Sequence, residues 1–263
     1  MMNIIEGVQM LDRHCSRRLP ITYPGNEKPI GIVIITNVIN MIGGGSRYNS
    51  VTNRHKGSLQ STLNDEIREL TSEKDYYFFP LISIREAICL LIKNGHGSSP
   101  ITNPDNTLAG IVTKYDIMKV FAGTKSELFV DEIMMKNPKV VTPDVHICCV
   151  IKQMVDQDYR QLPNMKDGFL IDMITTTNIR GYLGRCLVFS KKKTRSLDET
   201  LCLSVRAHMI AADIKTMSPN KKINDAAWEM LEFSTSSFPV IDEGRFTGIV
   251  TEFDLVKGLT KNI

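Results

Sequence analysis

Two short stretches of this chain carry residues able to hold a small molecule: Thr113-x-x-Asp116 and Thr251-x-x-Asp254. In each, the threonine closes an apolar β-like run and the acid falls at the start of a helix-periodic segment. A carboxylate placed there can accept hydrogen bonds from both members of a vicinal pair of sugar hydroxyls, and its charge favours those donors over what a neutral acceptor offers. The nearby helix N-terminus presents N–H groups to phosphate. A third stretch, Thr175-x-x-Asn178, keeps the threonine but has an amide, which can accept from one hydroxyl and donate to another. A fourth, Ile34-x-x-Asn37, has neither hydroxyl nor charge. A purely local reading stands beside this one. Asp and Asn are good helix N-caps and threonine is ordinary in a strand, so capping alone accounts for an Asp or Asn in every copy. The difference among copies separates the readings: Asn37 and Asn178 suffice for a cap, whereas Asp116 and Asp254 also offer a double acceptor. Arginines just ahead of a proline-containing strand form a second set: Arg17, Arg18 and Arg160. A planar guanidinium can bond two phosphate oxygens at once, although a solvated surface arginine is common anywhere. Gly97-Ser98-Ser99 and Ser236-Ser237-Phe238 occupy the corresponding places in the other copies, so copies with the Asp lack the Arg and the reverse.

The elements that position these residues recur four times. Pro20, Pro100, Pro163 and Pro239 are followed by Gly31-Ile32-Val33, Gly110-Ile111-Val112, Asp172-Met173-Ile174 and Gly248-Ile249-Val250. Between proline and triplet lies a turn, such as Asn103-Pro104-Asp105-Asn106, Lys166-Asp167-Gly168 or Asp242-Glu243-Gly244. In repeat 3 the apolar residues Val145, Ile147, Val150, Ile151, Met154 and Val155 recur at helical spacing before the hairpin. Thr177 to Leu183 reads as a second helix stopped at Gly184. Each unit is therefore β-α-β-β-α, at the lower edge of what can bury a core alone, and such units are expected to pair. The opening strand is missing from repeat 1, whose helix begins almost at Met1. The expected division is repeat 1 over 1–44, a polar linker over 45–74, repeat 2 over 75–123, repeat 3 over 129–184, a linker over 185–211 and repeat 4 over 212–263. Pairing of 1 with 2 and of 3 with 4 is the expected arrangement, with the truncated end of repeat 1 available to a second copy through the apolar run Ile30 to Ile35.

Composition bounds the rest. With 42% hydrophobic and 23% charged residues the chain is of the globular class, and a net charge of +3 is too small to argue for nucleic acid or a membrane surface. No apolar run reaches the ~20 residues of a bilayer span, and no basic stretch leads into an apolar block as in a signal peptide. The six cysteines include no C-x-x-C pair, which reads as reduced thiols in a cytoplasmic protein. Gly43-Gly44-Gly45 lacks the Gly-Lys-[Ser/Thr] of a P-loop and reads as a helix stop. Lys191 to Arg195 reads as a solvated basic run, and His14, His55, His96, His146 and His208 form no cluster. No nucleophile–base pair, metal set or paired carboxylates support catalysis.

The pattern L-P, turn, G-I-[IV]-T-x-x-D resembles the CBS domain, named after cystathionine β-synthase. Repeats 3 and 4 match over nearly their whole length, repeat 2 well, and repeat 1 from its first helix onward. Four copies in one chain resemble archaeal four-CBS-domain proteins, which are similar to the γ subunit of AMP-activated protein kinase. The resemblance implies an α/β (α+β) fold of four tandem repeats paired into two Bateman modules that form a disc. It implies AMP, ADP or ATP in the clefts, no catalytic activity, and regulation of an unidentified protein partner. The implied nucleotide-binding residues are Thr113, Asp116, Thr251, Asp254, Thr175 and Asn178 for ribose, and Arg160, Arg17 and Arg18 for phosphates of the neighbouring repeat. The alternatives are S-adenosylmethionine or another adenosine ligand, or an interaction scaffold whose sites have decayed.

Overall fold

The structure is a computed structural model and describes residues 2–14, 16, 18–25, 28–71, 79–80, 82–93, 97–190, 203–205 and 214–260. Arg17, Cys15, Cys202, His96, His208 and the basic run Lys191–Arg195 lie outside them.

Repeat 1 comprises α1 (Ile4–Arg13), β1 (Arg18–Thr22), β2 (Pro29–Ile34) and α2 (Ile35–Ile42). The helix α1 starts where Asn3 and Glu6 exchange side-chain bonds with each other's backbone N–H, and it buries Ile4, Ile5, Val8 and Leu11. α2 stops at Gly43, and Gly44 takes the left-handed conformation at φ 81°. The stretch expected to be a linker is folded. It contains α3 (Asn49–His55), α4 (Leu59–Thr62) and a 3₁₀ turn Ile67–Leu70, and it sends Val51, Leu63, Ile67 and Leu70 into a core. Repeat 2 comprises β3 (Phe79–Pro80), α5 (Ile84–Lys93), β4 (Ser98–Thr102), β5 (Leu108–Thr113) and α6 (Lys114–Phe121). After it come α7 (Val130–Ile133) and β6 (Met135–Lys136). Repeat 3 comprises α8 (Ile147–Gln157), β7 (Gln161–Lys166), β8 (Phe169–Thr175) and α9 (Thr176–Ser190), with its opening strand reduced to a parallel bridge between Val141 and Asn164. α9 runs through Gly184, where a stop was expected. A helical glycine costs only about 1 kcal/mol, and the apolar residues after it continue the helix. Repeat 4 comprises α10 (Ile223–Glu232), β9 (Ser237–Asp242), β10 (Arg245–Thr251) and α11 (Glu252–Leu259), with a bridge from Met217 to Val240.

The hairpin turns of repeats 3 and 4 have two residues, Asp167-Gly168 and Glu243-Gly244, all at positive φ, the I′ geometry that suits strand twist. Register aligns the repeats: Arg18 faces Ile34, Ser98 faces Thr113, Gln161 faces Thr175 and Ser237 faces Thr251. At one level of this register repeat 4 has Val240 opposite Gly248 and repeat 3 has Asn164 opposite Asp172. A Cβ on Gly248 would stand 2.6 Å from the Met135 carbonyl oxygen, because β6 pairs there. Asn164 is wholly buried, and neither end of its amide has a partner among the described residues.

The chain divides into two compact units, Met1–Glu73 with Lys139–Ala212, and Lys74–Pro138 with Asp213–Ile263. Within one unit repeat 1 packs on repeat 3, and within the other repeat 2 packs on repeat 4. The buried faces are helical. α9 packs on α1 and α2, and α2 also packs on α8; in the other unit α6 packs on α11 and α10. Each unit has its own apolar core, one running from Ile4 to Val205 in sequence and the other from Ile88 to Leu259. Backbone bridges close the helix starts: Asn3 to Glu66, His146 to Ser204, and Lys222 to Phe129. Val33 and Ile35 are buried in the core of their unit, where the 3₁₀ turn packs on β2 and Thr71 lies over Gly31. Ile30 and Ile34 of the same run are half-buried. Among the described residues no helix is long and apolar enough to cross a membrane.

Candidate functional site

The Thr-x-x-Asp stretches and their Asn counterpart form at three helix starts, and their geometry differs from simple capping by Asp. Threonine is the N-cap and the acid is the third helical residue, so the two make a reciprocal capping box. At Asp254, Oδ2 accepts from the Thr251 backbone N–H at 2.9 Å and from its hydroxyl at 2.6 Å, while the Asp254 N–H donates to Thr251 Oγ1 at 3.4 Å. Asp116 repeats this with Thr113 at 2.9, 2.6 and 3.3 Å. Both bonds fall on one oxygen, and the second carboxylate oxygen, Oδ1, takes no hydrogen bond from another described residue. The capping and binding readings are therefore compatible: the cap occupies Oδ2 and leaves Oδ1.

Asn178 fills the same role with its carbonyl. Its Oδ1 accepts from the Thr175 N–H at 2.9 Å and from the Thr175 hydroxyl, and its own N–H donates to Thr175 Oγ1 at 3.2 Å. The expectation that this amide could accept from one ligand hydroxyl and donate to another needs correction. A carbonyl oxygen has two lone pairs and both are engaged, so only the Nδ2 donors remain. Repeat 1 departs furthest. Ile34 gives no side-chain cap, and Asn37, buried to 8% exposure, donates from Nδ2 to the Leu70 carbonyl at 2.6 Å. Asn37 thus ties α2 to the folded-back segment.

Burial acts on Asp254 more than anything else and raises its pKa, against the lowering effect of the two Thr251 bonds, Lys114 and Lys257. Lys114 opens α6 and is only 6% exposed, with Nζ 4.1 Å from the Phe253 ring centre. It therefore brings a cation from repeat 2 to the helix start of repeat 4, inside one unit. Sequence reasoning missed it, since a lysine in a helix first turn is ordinarily solvated and no motif marks it. Arg160 is exposed, and its carbonyl accepts from the Thr176 N–H at 2.9 Å, just as Gly97 accepts from Lys114 at 3.2 Å and Ser236 from Glu252 at 3.0 Å. Arg160 thus adjoins the Thr175–Asn178 box of its own repeat. By register its counterpart in repeat 1 is position 17, outside the described residues, whereas Arg18 corresponds to Gln161 and interlocks with Ser16. Among the described residues no group of three or more His, Cys, Asp and Glu side chains is placed to hold a metal.

The family model for the CBS domain matches the chain three times, over residues 67–123, 130–185 and 205–261. The chain belongs to the CBS-domain family. The matched segments take in repeats 2, 3 and 4, and the truncated repeat 1 falls outside them. An uncharacterized protein of Methanocaldococcus jannaschii, MJ1225, is 27% identical over 97% of this chain and 91% of its own length. Its crystal structure, described as that of a candidate archaeal homologue of γ-AMPK, superposes with a TM-score of 0.89 over 97% of this chain and 92% of that one. An uncharacterized 33.4 kDa protein from the ribosomal RNA operon of Thermofilum pendens is 20% identical over 98% of this chain and 85% of its own length. An uncharacterized conserved protein of Pyrococcus horikoshii, 15% identical, shares the fold at a TM-score of 0.56 over 93% of this chain and 91% of that one. This CBS-domain chain therefore shares its fold with MJ1225 over nearly its whole length.

Proposed function

We propose that the chain is a regulatory protein without catalytic chemistry of its own, and that it binds AMP, ADP and ATP in competition. Asp254 and Asp116 anchor the riboses, each with its threonine, and Arg160, Arg17 and Arg18 serve the phosphate ends. The observation that carries this reading is the capping box with one carboxylate oxygen left over, at Asp254 and again at Asp116. Membership of the CBS family and the likeness to MJ1225 support it. Asn178 completes its box with Thr175 equally well, so the acid is not required by the helix. Ligand then shifts the protein between states by its difference in affinity for them, and a regulated partner reads the shift.

Thermal unfolding with AMP, ADP, ATP and S-adenosylmethionine tests this. A true ligand at about 100 times its Kd adds ~2.7 kcal/mol of stability. Stabilisation by the adenine nucleotides, lost in Asp254→Ala and Asp116→Ala together, is the expected result. Stabilisation by S-adenosylmethionine alone, or by none of the panel, would overturn it.

A further inference from the structure

We propose that Asn178 makes the repeat 3 position selective for an adenosine phosphate whose ribose carries a phosphate on its 2′ or 3′ oxygen. This deepens the reading of the boxes as nucleotide sites and rests on it. The orientation of the amide is fixed by chemistry. The Thr175 backbone N–H can only donate, so the Asn178 atom 2.9 Å from it is the carbonyl oxygen. Thr175 Oγ1 already accepts from the Asn178 N–H at 3.2 Å, and its own proton goes to the same carbonyl oxygen. Both lone pairs are filled, and the face left for a ligand is the Nδ2 amide with its N–H donors.

Repeats 2 and 4 have the opposite polarity. With Oδ2 engaged, Asp116 and Asp254 leave Oδ1, an anionic acceptor. A free vicinal diol offers two O–H donors and suits that acceptor. The same diol facing an N–H₂ group can only accept there, and its protons lose the partner the carboxylate gives. A phosphate ester oxygen has no proton and accepts only, so it suits the amide. Before a carboxylate it meets like charge and no donor, which is how one residue can reject as well as select.

The surroundings agree. The residues between cap and box partner are Lys114-Tyr115 in repeat 2 and Glu252-Phe253 in repeat 4, but Thr176-Thr177 in repeat 3. The corresponding stretch on the other helix of that unit, Ile34 to Asn37, is uncharged as well. No acidic side chain belongs to either stretch of the unit, and α9 turns a fifteen-residue helix's N-terminus toward the position, which favours an anion.

The test is calorimetric titration of the full chain with AMP, adenosine 2′,5′-bisphosphate and adenosine 3′,5′-bisphosphate. Three proteins are compared: wild type, Asn178→Asp and Asp254→Asn. Wild type should show one site for a bisphosphate. Asn178→Asp should weaken that site about tenfold or more and tighten AMP there by a similar factor, as expected for exchanging a charge-assisted bond. Asp254→Asn should gain a bisphosphate site and lose an AMP site. Neither exchange removes a cap, since both residue types are found in wild-type boxes, and a Tm no lower than that of wild type verifies this. Equal bisphosphate affinity in wild type and Asn178→Asp overturns the inference. If AMP still binds in an Asp254-dependent way, the functional reading survives that failure; if no nucleotide binds wild type, both fall.

Discussion

Replacing Asp254 by asparagine separates what this residue does for the fold from what it does for a ligand. The carbonyl of the introduced amide would take over the two Thr251 bonds, as Asn178 shows with Thr175, so the capping box persists. What changes is the leftover group, from anionic acceptor to N–H donor. A hydrogen bond to a charged group contributes about 1.5–3 kcal/mol, so one lost ribose contact should raise the AMP Kd at that site about 10- to 100-fold. Stability should move the other way. Burial raises the Asp254 pKa in the folded protein, so the native state holds its proton more tightly than the unfolded chain. Wild type therefore loses stability as pH rises from below ~4 through the folded-state pKa, and the asparagine variant lacks this loss. The stability gap in favour of the variant should be absent near pH 3 and full at neutral pH. Denaturant unfolding at several pH values, with AMP calorimetry at pH 7, measures both. Wild-type AMP affinity in the variant would refute the ribose role. A variant less stable than wild type at pH 7 would refute the reasoning on burial.

Other substitutions test neighbouring claims. Arg160→Ala should weaken AMP and ATP while leaving adenosine unchanged in calorimetry; equal losses would make it a packing residue. Asn37→Ala should cost about 1–3 kcal/mol in chemical unfolding, because the Leu70 carbonyl loses its buried donor, with nucleotide stoichiometry unchanged. Gly248→Ala should destabilise by about 1–3 kcal/mol, since its Cβ would press on the Met135 carbonyl. Asn164→Val should raise Tm, because repeat 4 buries Val240 at the same register with no orphaned amide.

The repeat was legible in the sequence because its signals are local. Apolar spacing along Val145 to Val155 marked a helix, Asp167-Gly168 marked a turn, and threonine before Asp116 and Asp254 marked a helix start. The cap residue was misplaced by three positions, although Thr-x-x-Asp is itself the sign of a capping box with threonine as cap. Less was legible where contacts are long-range. Periodicity shows that a face of α2 is apolar, but not that it packs on α8 and α9, more than a hundred residues later in sequence. The folding-back of residues 45–71 was hidden for a related reason: their helices are short, and the buried Val51, Leu63, Ile67 and Leu70 are too sparse to form a periodic stripe. Lys114 gave no signal because the ring it lies over, Phe253, is more than a hundred residues away in sequence.

The interleaving of the two units has a consequence for how the chain is made. The first unit draws on Met1–Glu73 and Lys139–Ala212, so its core cannot close until Val205 has left the ribosome, with the whole of repeat 2 synthesised in between. The second unit waits almost to the end, since Leu259 belongs to its core. Neither half of the chain cut at its midpoint contains a complete core. A nascent chain of repeats 1 and 2 exposes the helix faces meant for repeats 3 and 4 and is at its most aggregation-prone then. Non-local closure of this kind is also slow. Expression of the N-terminal half alone should therefore yield an insoluble or chaperone-bound product, while co-expression of the two halves should restore soluble protein.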